Sequence, residues 1–175
     1  MSLLETGKHT LRAQRVAALL IAGYCCAVVG TDSCFAQAAK GAASAKALEA
    51  SQALRRGDDP QAIADLTTAL ADQSLPNETR AIYLNDRGAA RVRQQQFRPA
   101  IEDFNRAAQL YPEYAAIYVN RGNLLLALGQ PQEAVKDFER AIVLAPNLAA
   151  AYTNRAAAHL RMGRAGCTTE ENEEA

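Results

Sequence analysis

Tryptophan is absent, and six tyrosines and four phenylalanines are the only aromatic residues among 175. So thin an aromatic content argues against a β-sandwich. Net charge is lacking too: 19 Lys and Arg balance 19 Asp and Glu, so no broad field steers nucleic acid or holds an anionic membrane. No apolar run is of full membrane-spanning length. The uncharged segment 16–30 would rise about 22 Å as a helix, against the ~30 Å of a bilayer core. Cysteine is scarce and badly placed for cross-linking, with Cys25, Cys26 and Cys34 crowded near the start and Cys167 alone near the end. What is present is apolar and alanine-rich, with 49% hydrophobic residues and only ten glycines. That composition excludes a wholly disordered chain, favours helix, and suits a single domain or repeat array.

The start reads as an address. Lys8, Arg12 and Arg15 precede the apolar segment 16–30, and Ala36-Gln37-Ala38 follows it. A basic start, a short apolar core and an A-x-A site together indicate a secretory signal peptide over 1–38. The alternative is an uncleaved inner-membrane anchor at 16–30. Removal of 1–38 leaves the charge near neutral and Cys167 as the one cysteine. The exported chain would then hold together by apolar packing, without an internal disulfide. Cys167 has only His159 to partner it in that chain and reads as incidental. The expected location is a bacterial periplasm.

Beyond the leader the sequence repeats. Gly88, Gly122 and Ala156 are spaced by 34, as are Arg87, Arg121 and Arg155. At the same spacing Ala100 matches Ala134, Phe104 matches Phe138, Ala107 matches Ala141 and Pro112 matches Pro146. Segments 81–95 and 115–128 each suit a helix of about four turns, and 97–110 and 132–144 each suit a second one. Gly129-Gln130-Pro131 separates the two helices of a unit, and Pro112 and Pro146 end the second. Small residues at Gly88, Gly122, Ala100 and Ala134 let paired helices approach, with Phe104 and Phe138 filling the space between. One such pair buries too little surface alone, so neighbours must stack.

This pattern resembles the tetratricopeptide repeat, whose signature has a small residue at place 8, Ala at 20, a large apolar residue at 24, Ala at 27 and Pro at 32. Gly88, Ala100, Phe104, Ala107 and Pro112 fill those places in one unit, and Gly122, Ala134, Phe138, Ala141 and Pro146 in the next. A degenerate earlier unit begins near Ala43 and carries Ala50, Ala62, Leu66 and Ala69 at the corresponding places. The resemblance implies an all-α fold: a right-handed superhelical solenoid of antiparallel helix pairs, about seven helices, with a separate N-terminal hydrophobic signal helix. The expected organisation is a leader at 1–38, a degenerate repeat and linker at 39–80, and full repeats at 81–114 and 115–148. A partial repeat of one helix follows at 149–164, then a disordered acidic tail at 165–175. A last helix without its pair suggests either a truncated longer repeat protein or a face covered by another chain.

No metal-ligand spacing, nucleophile arrangement or phosphate loop stands out after the leader. The glycines at 122 and 129 lack the Lys-Ser/Thr ending of a phosphate loop, and the carboxylates at Asp103 and Asp137 recur with the repeat. No catalytic residue, metal or cofactor is therefore expected. The resemblance instead implies a groove, lined by the first helices, that binds an extended peptide or a partner helix. Its candidate lining is Asn85, Asp86, Asn120, Asn123, Thr153 and Asn154. A carboxamide offers one donor and one acceptor face, which matches an extended backbone. The competing reading is that these asparagines cap or bridge helices. Of the places with which some members clamp a C-terminal carboxylate, only Asn120 fits. Asn85, Ala89, Ala150 and Asn154 depart from the Lys, Asn, Lys and Arg of that pattern, which argues against a chaperone tail as the ligand.

The recurrent Asp65, Asp103 and Asp137 precede Arg87, Arg121 and Arg155 by near-constant spacing. They are read as a ladder joining each second helix to the first helix of the next unit; the alternative is that the arginines form a basic stripe for an acidic ligand. The function expected is a non-catalytic protein-interaction scaffold with a peptide or protein partner, no nucleic acid, and membrane contact only if the leader stays uncleaved. The alternatives are an oligomerisation module, self-associating through the uncapped last helix, or the non-catalytic part of a longer exported protein.

Overall fold

The computed structural model describes residues 31–173, with side chains over 44–163. The apolar segment 16–30 lies outside the described residues, while Ala36-Gln37-Ala38 falls within the first helix. Seven α-helices and no strand occupy the described residues: α1 Thr31–Arg56, α2 Asp59–Leu70, α3 Asn77–Arg93, α4 Phe97–Leu110, α5 Ala115–Ala127, α6 Pro131–Leu144 and α7 Ala149–Glu173. No helix among them is long and apolar enough to cross a membrane. The helices form hairpins α1/α2, α3/α4 and α5/α6, each second helix packing also on the first helix that follows it.

Local chemistry sets the hairpin turns. Gly57, Gln95 and Gly129 stand at the same place of three units, and each has positive φ, between 59° and 76°. In each turn the residue after it reaches back to close the helix: Asp58 N–H to Ala53 O, Gln96 to Arg91 O and Gln130 to Leu125 O, at 2.8–2.9 Å. This left-handed closure satisfies orphan carbonyls, and glycine adopts it without steric cost. Asp58 then caps α2 by accepting from Gln61 N–H, and Pro131 starts α6 at a position that needs no N–H. The second helices end at Leu110 and Leu144, each two residues before its proline, Pro112 or Pro146.

The core forms where Phe meets Gly. Phe104 and Phe138 are fully buried. A Cβ on Gly88 would come within 2.8 Å of Phe104 Cε1, and one on Gly122 within 2.6 Å of Phe138 Cε1. Only glycine lets these rings approach the first helix so closely, and burying each ring contributes about 1.5–3 kcal/mol. Ala100, Ala107, Ala134 and Ala141 are fully buried beside them. The degenerate unit packs the complementary way: Ala50 replaces the glycine, Leu66 replaces the ring, and both are buried with Ala62 and Ala69.

Two boundaries differ from expectation. Helix α3 starts at Asn77, a turn before Ala81. Arg80 fastens that extra turn by donating to Leu70 O and Asp72 O at 3.1 and 2.8 Å. The backbone of α7 stays helical to Glu173, through the segment expected to be a disordered tail. Gly163 and Gly166 each cost a helix about 1 kcal/mol but, unlike proline, break no backbone hydrogen bond.

Candidate binding groove along the first helices

From α3 onward, successive first helices approach one another more closely than successive second helices do. The array therefore bends toward α3, α5 and α7, and their shared face is its inner surface. That face carries the candidate residues. Asn120 Nδ2 of α5 donates to Asn85 Oδ1 of α3 at 2.9 Å, and Asn154 Nδ2 of α7 donates to Asn123 Oδ1 of α5 at 2.7 Å. Carboxamides thus link each first helix to the next. Asn85 is buried, 4% exposed, and passes its own Nδ2 to Asp86 Oδ1 at 3.2 Å. Burial pushes the Asp86 carboxyl above its usual range, against the hydrogen bond from Asn85. Thr153 stays exposed and donates its hydroxyl to Ala149 O of its own helix, which leaves it a weaker candidate for the groove.

The asparagines do not form one straight file at place 6. Asn85 stands one place earlier and Asn123 three places later, and these are the acceptors in the two pairs. The bridging role left open by the sequence is the one realised inside the protein, yet each pair keeps free valence. Asn120 Oδ1, Asn154 Oδ1 and Asn123 Nδ2 have no partner among the described residues.

A cleft of 630 Å³ opens at the α1 end of the array, lined by Arg55, Arg56, Asp86, Ala89 and Arg93. Nothing in the repeat pattern marked it. Its only signal was the Arg55-Arg56 pair at the end of a helix, where cations complement the helix dipole. Arg93 closes it with a bidentate grip on Asp59, 34 residues away, at 2.6–2.9 Å. The Arg93 guanidinium holds the Asp59 carboxyl below its ordinary range despite burial.

The arginine ladder is real but runs elsewhere than expected. Arg87 donates through Nε and Nη2 to Asp103 at 2.9 and 2.7 Å, and Arg121 to Asp137 at 2.8 and 2.6 Å. Each pair lies within one unit. The expected pairs Asp65–Arg87, Asp103–Arg121 and Asp137–Arg155 do not form, because the antiparallel hairpin puts place 7 of the first helix opposite the Asp of its own second helix. Arg91 adds a third donor to Asp103 at 2.7 Å. Asp65 is held instead by Lys46, at 3.2 Å, and its carboxyl is lowered by hydrogen bonds from Gln61 and Lys46 against the opposing effect of burial. The link to the preceding unit exists through other partners: Arg87 Nη1 donates to Thr67 Oγ1 at 3.0 Å and Arg121 Nη1 to Asn105 Oδ1 at 2.8 Å. Among the described residues no cluster of His, Cys, Asp or Glu is arranged to hold a metal.

Paired helices, a Gly–Phe contact in each full unit and a 34-residue register meet in one comparison. Residues 115–148 match the tetratricopeptide repeat. No curated protein matches the chain. Solved tetratricopeptide domains share the fold. The Arabidopsis OM64 TPR domain is 22% identical with a TM-score of 0.64, over 69% of this chain and 97% of that one. The first TPR of Spaghetti (RPAP3), bound to the HSP90 peptide SRMEEVD, is 25% identical with a TM-score of 0.65, over 71% and 95%. The TPR2B domain of yeast Sti1, in a complex with pHsp70, is 19% identical with a TM-score of 0.62, over 68% and 97%. The described helices are therefore an all-α tetratricopeptide-type solenoid.

Proposed function

We propose that the chain is a non-catalytic scaffold that binds an extended peptide, or an extended stretch of a partner protein, along the inner face of α3, α5 and α7. The observation that carries this reading is the pair of inter-helix carboxamide links, Asn85–Asn120 and Asn123–Asn154. They hold one amide donor and two amide acceptors in fixed positions on a preorganised surface. A ligand backbone that meets them loses little additional order from the protein, which favours binding. The peptide-bound Spaghetti domain, with the same fold at 25% identity, supports the mode of binding. The ligand differs in kind from a chaperone tail, because Asn85, Ala89, Ala150 and Asn154 stand where the clamp has Lys, Asn, Lys and Arg.

The test is to select ligands from a random peptide library on the immobilised chain and titrate the best into wild type and Asn154→Ala. Asn154 is the better target, because truncating Asn120 would orphan the buried Asn85 acceptor at a cost of about 1–3 kcal/mol. Affinity should fall at least tenfold while the melting temperature stays put. Equal affinity for both proteins would defeat the groove reading.

We further propose that the scaffold works outside the cytoplasm, in a bacterial periplasm. The basic residues at 8, 12 and 15, the apolar segment 16–30 and the Ala36-Gln37-Ala38 site support export. The competing arrangement keeps the chain tethered to the inner membrane by 16–30. N-terminal sequencing of protein from fractionated cells distinguishes the two.

A further inference from the structure

Helix α7 repeats α5 place for place, and α5 uses two faces. Ile117 and Leu124 are buried against the preceding hairpin, and Tyr118, Gly122 and Leu126 are buried under α6. In α7 the first face is used in the same way, with Ala151 and Ala158 fully buried. The second face is bare. Tyr152 is 42% exposed where Tyr118 is 8%, and Leu160 is 67% exposed where Leu126 is 8%. Ala156, at the place of Gly122, is exposed as well.

We infer that this second face of α7 is a docking site for a helix of another polypeptide, one carrying the pattern Ala-x-x-Asp-Leu-x-x-Ala. The inference is independent of the groove, which lies on the inner surface. The charge of the missing helix follows from Arg155. Its counterparts Arg87 and Arg121 each grip a buried Asp of the second helix, whereas Arg155 has no carboxylate partner among the described residues. Its guanidinium stands 5.8 Å over the Tyr152 ring, as that of Arg121 stands 5.6 Å over Tyr118. The cation is already posed as in the occupied unit, so the incoming helix must bring an acid opposite it.

The size of the next residue follows from Ala156. Phe104 and Phe138 lie on glycines and would meet a Cβ at 2.8 and 2.6 Å. Where the chain itself has alanine at this place, at Ala50, the partner helix carries Leu66. Ala156 thus selects Leu over Phe, and the fitting pattern is that of α2: Ala62, Asp65, Leu66 and Ala69. The chain's own residues at the right spacing, Thr168, Glu171, Asn172 and Ala175, put a carboxamide where the large apolar residue belongs. The backbone also runs on helically to Glu173 instead of turning back. In a second copy, α2, α4 and α6 are each already engaged by their own first helices.

The probe is a fluorescent synthetic peptide of residues 58–72, held helical by a lactam bridge between positions 64 and 68, both exposed in α2. It is titrated into the full chain and into variants Leu160→Glu and Arg155→Asp, whose folding is checked by circular dichroism. Saturable binding that weakens at least tenfold in either variant is expected, with Asp65→Arg in the peptide restoring affinity for Arg155→Asp. A peptide of residues 130–145, bearing Phe138, should bind at least tenfold more weakly, and its Phe138→Leu form should recover. No binding, binding indifferent to both α7 variants, or preference for the Phe peptide would overturn the assignment. So would a concentration-dependent dimer abolished by Leu160→Glu, which would make a second copy the occupant.

Discussion

A single hydrogen-for-methyl difference decides which side chain the neighbouring helix can bring. Gly88 and Gly122 accept a phenyl ring within van der Waals reach of their backbone, and the unit with Ala50 at this place buries Leu66 instead. Placing a methyl at Gly122 should cost about 1–3 kcal/mol by overpacking. The double variant Gly122→Ala/Phe138→Leu should lose less than the sum of its parts, read from urea midpoints in a double-mutant cycle. Additive losses would mean that the two residues do not share the contact. The size match was legible in the sequence, because the columns at places 8 and 24 change together. The arginine pairing was not. In a sequence of period 34, Arg87 lies 16 residues before Asp103 and 22 after Asp65, while Arg121 lies 18 after Asp103. Regular spacing cannot tell a bond within a unit from one between units. Only the antiparallel geometry of the hairpin settles that Arg87 and Arg121 pair forward.

Helix ends concentrate the electrostatics of single elements. Asp59 sits in the first turn of α2, and Arg93 ends α3, each complementing the dipole of its own helix as well as its partner. Asp59 and Asp65 are both held below the ordinary carboxylate range. A carboxyl lowered in the folded state stabilises fully above its unfolded value of ~3.9 and loses that contribution as pH falls through the folded value. Asp86, raised by burial, acts in the opposite sense: its contribution is complete below the unfolded value and fades as pH rises. With two lowered groups against one raised, the urea midpoint should fall as pH drops below about 4, and Asp59→Asn should flatten that fall. A midpoint constant from pH 5 to 2 would contradict the assignment. Most helix limits were legible from proline and glycine, since these residues act through the chain's own backbone. The early start of α3 was not, because it depends on Arg80 reaching carbonyls eight and ten residues back. The course of α7 beyond 163 was missed because two glycines and a run of acids look like a stop, although neither removes a backbone donor.

As a whole the molecule is close to one-dimensional, each hairpin touching mainly its neighbours. Stability in such an array is a sum of unit and interface contributions. The 34-residue period therefore made the architecture legible without any long-range contact being known. The inner face was only half legible: composition singled out the asparagines, but their pairing at 2.9 and 2.7 Å depends on how far successive first helices are rotated, which no local pattern encodes. The bare flank of α7 carries a dynamic consequence. Amide exchange with deuterium depends on local opening, and α7 is clasped on one flank where α5 is clasped on two. The array should accordingly peel from that end, with amides of 149–163 exchanging well before those of α5 and α4 when followed by mass spectrometry. Uniform exchange along α4, α5 and α7 would show that the hairpins open together. A solenoid that loosens one rung at a time carries its own gauge of occupancy: the rate at which its last rung takes up deuterium reports whether anything is seated against it.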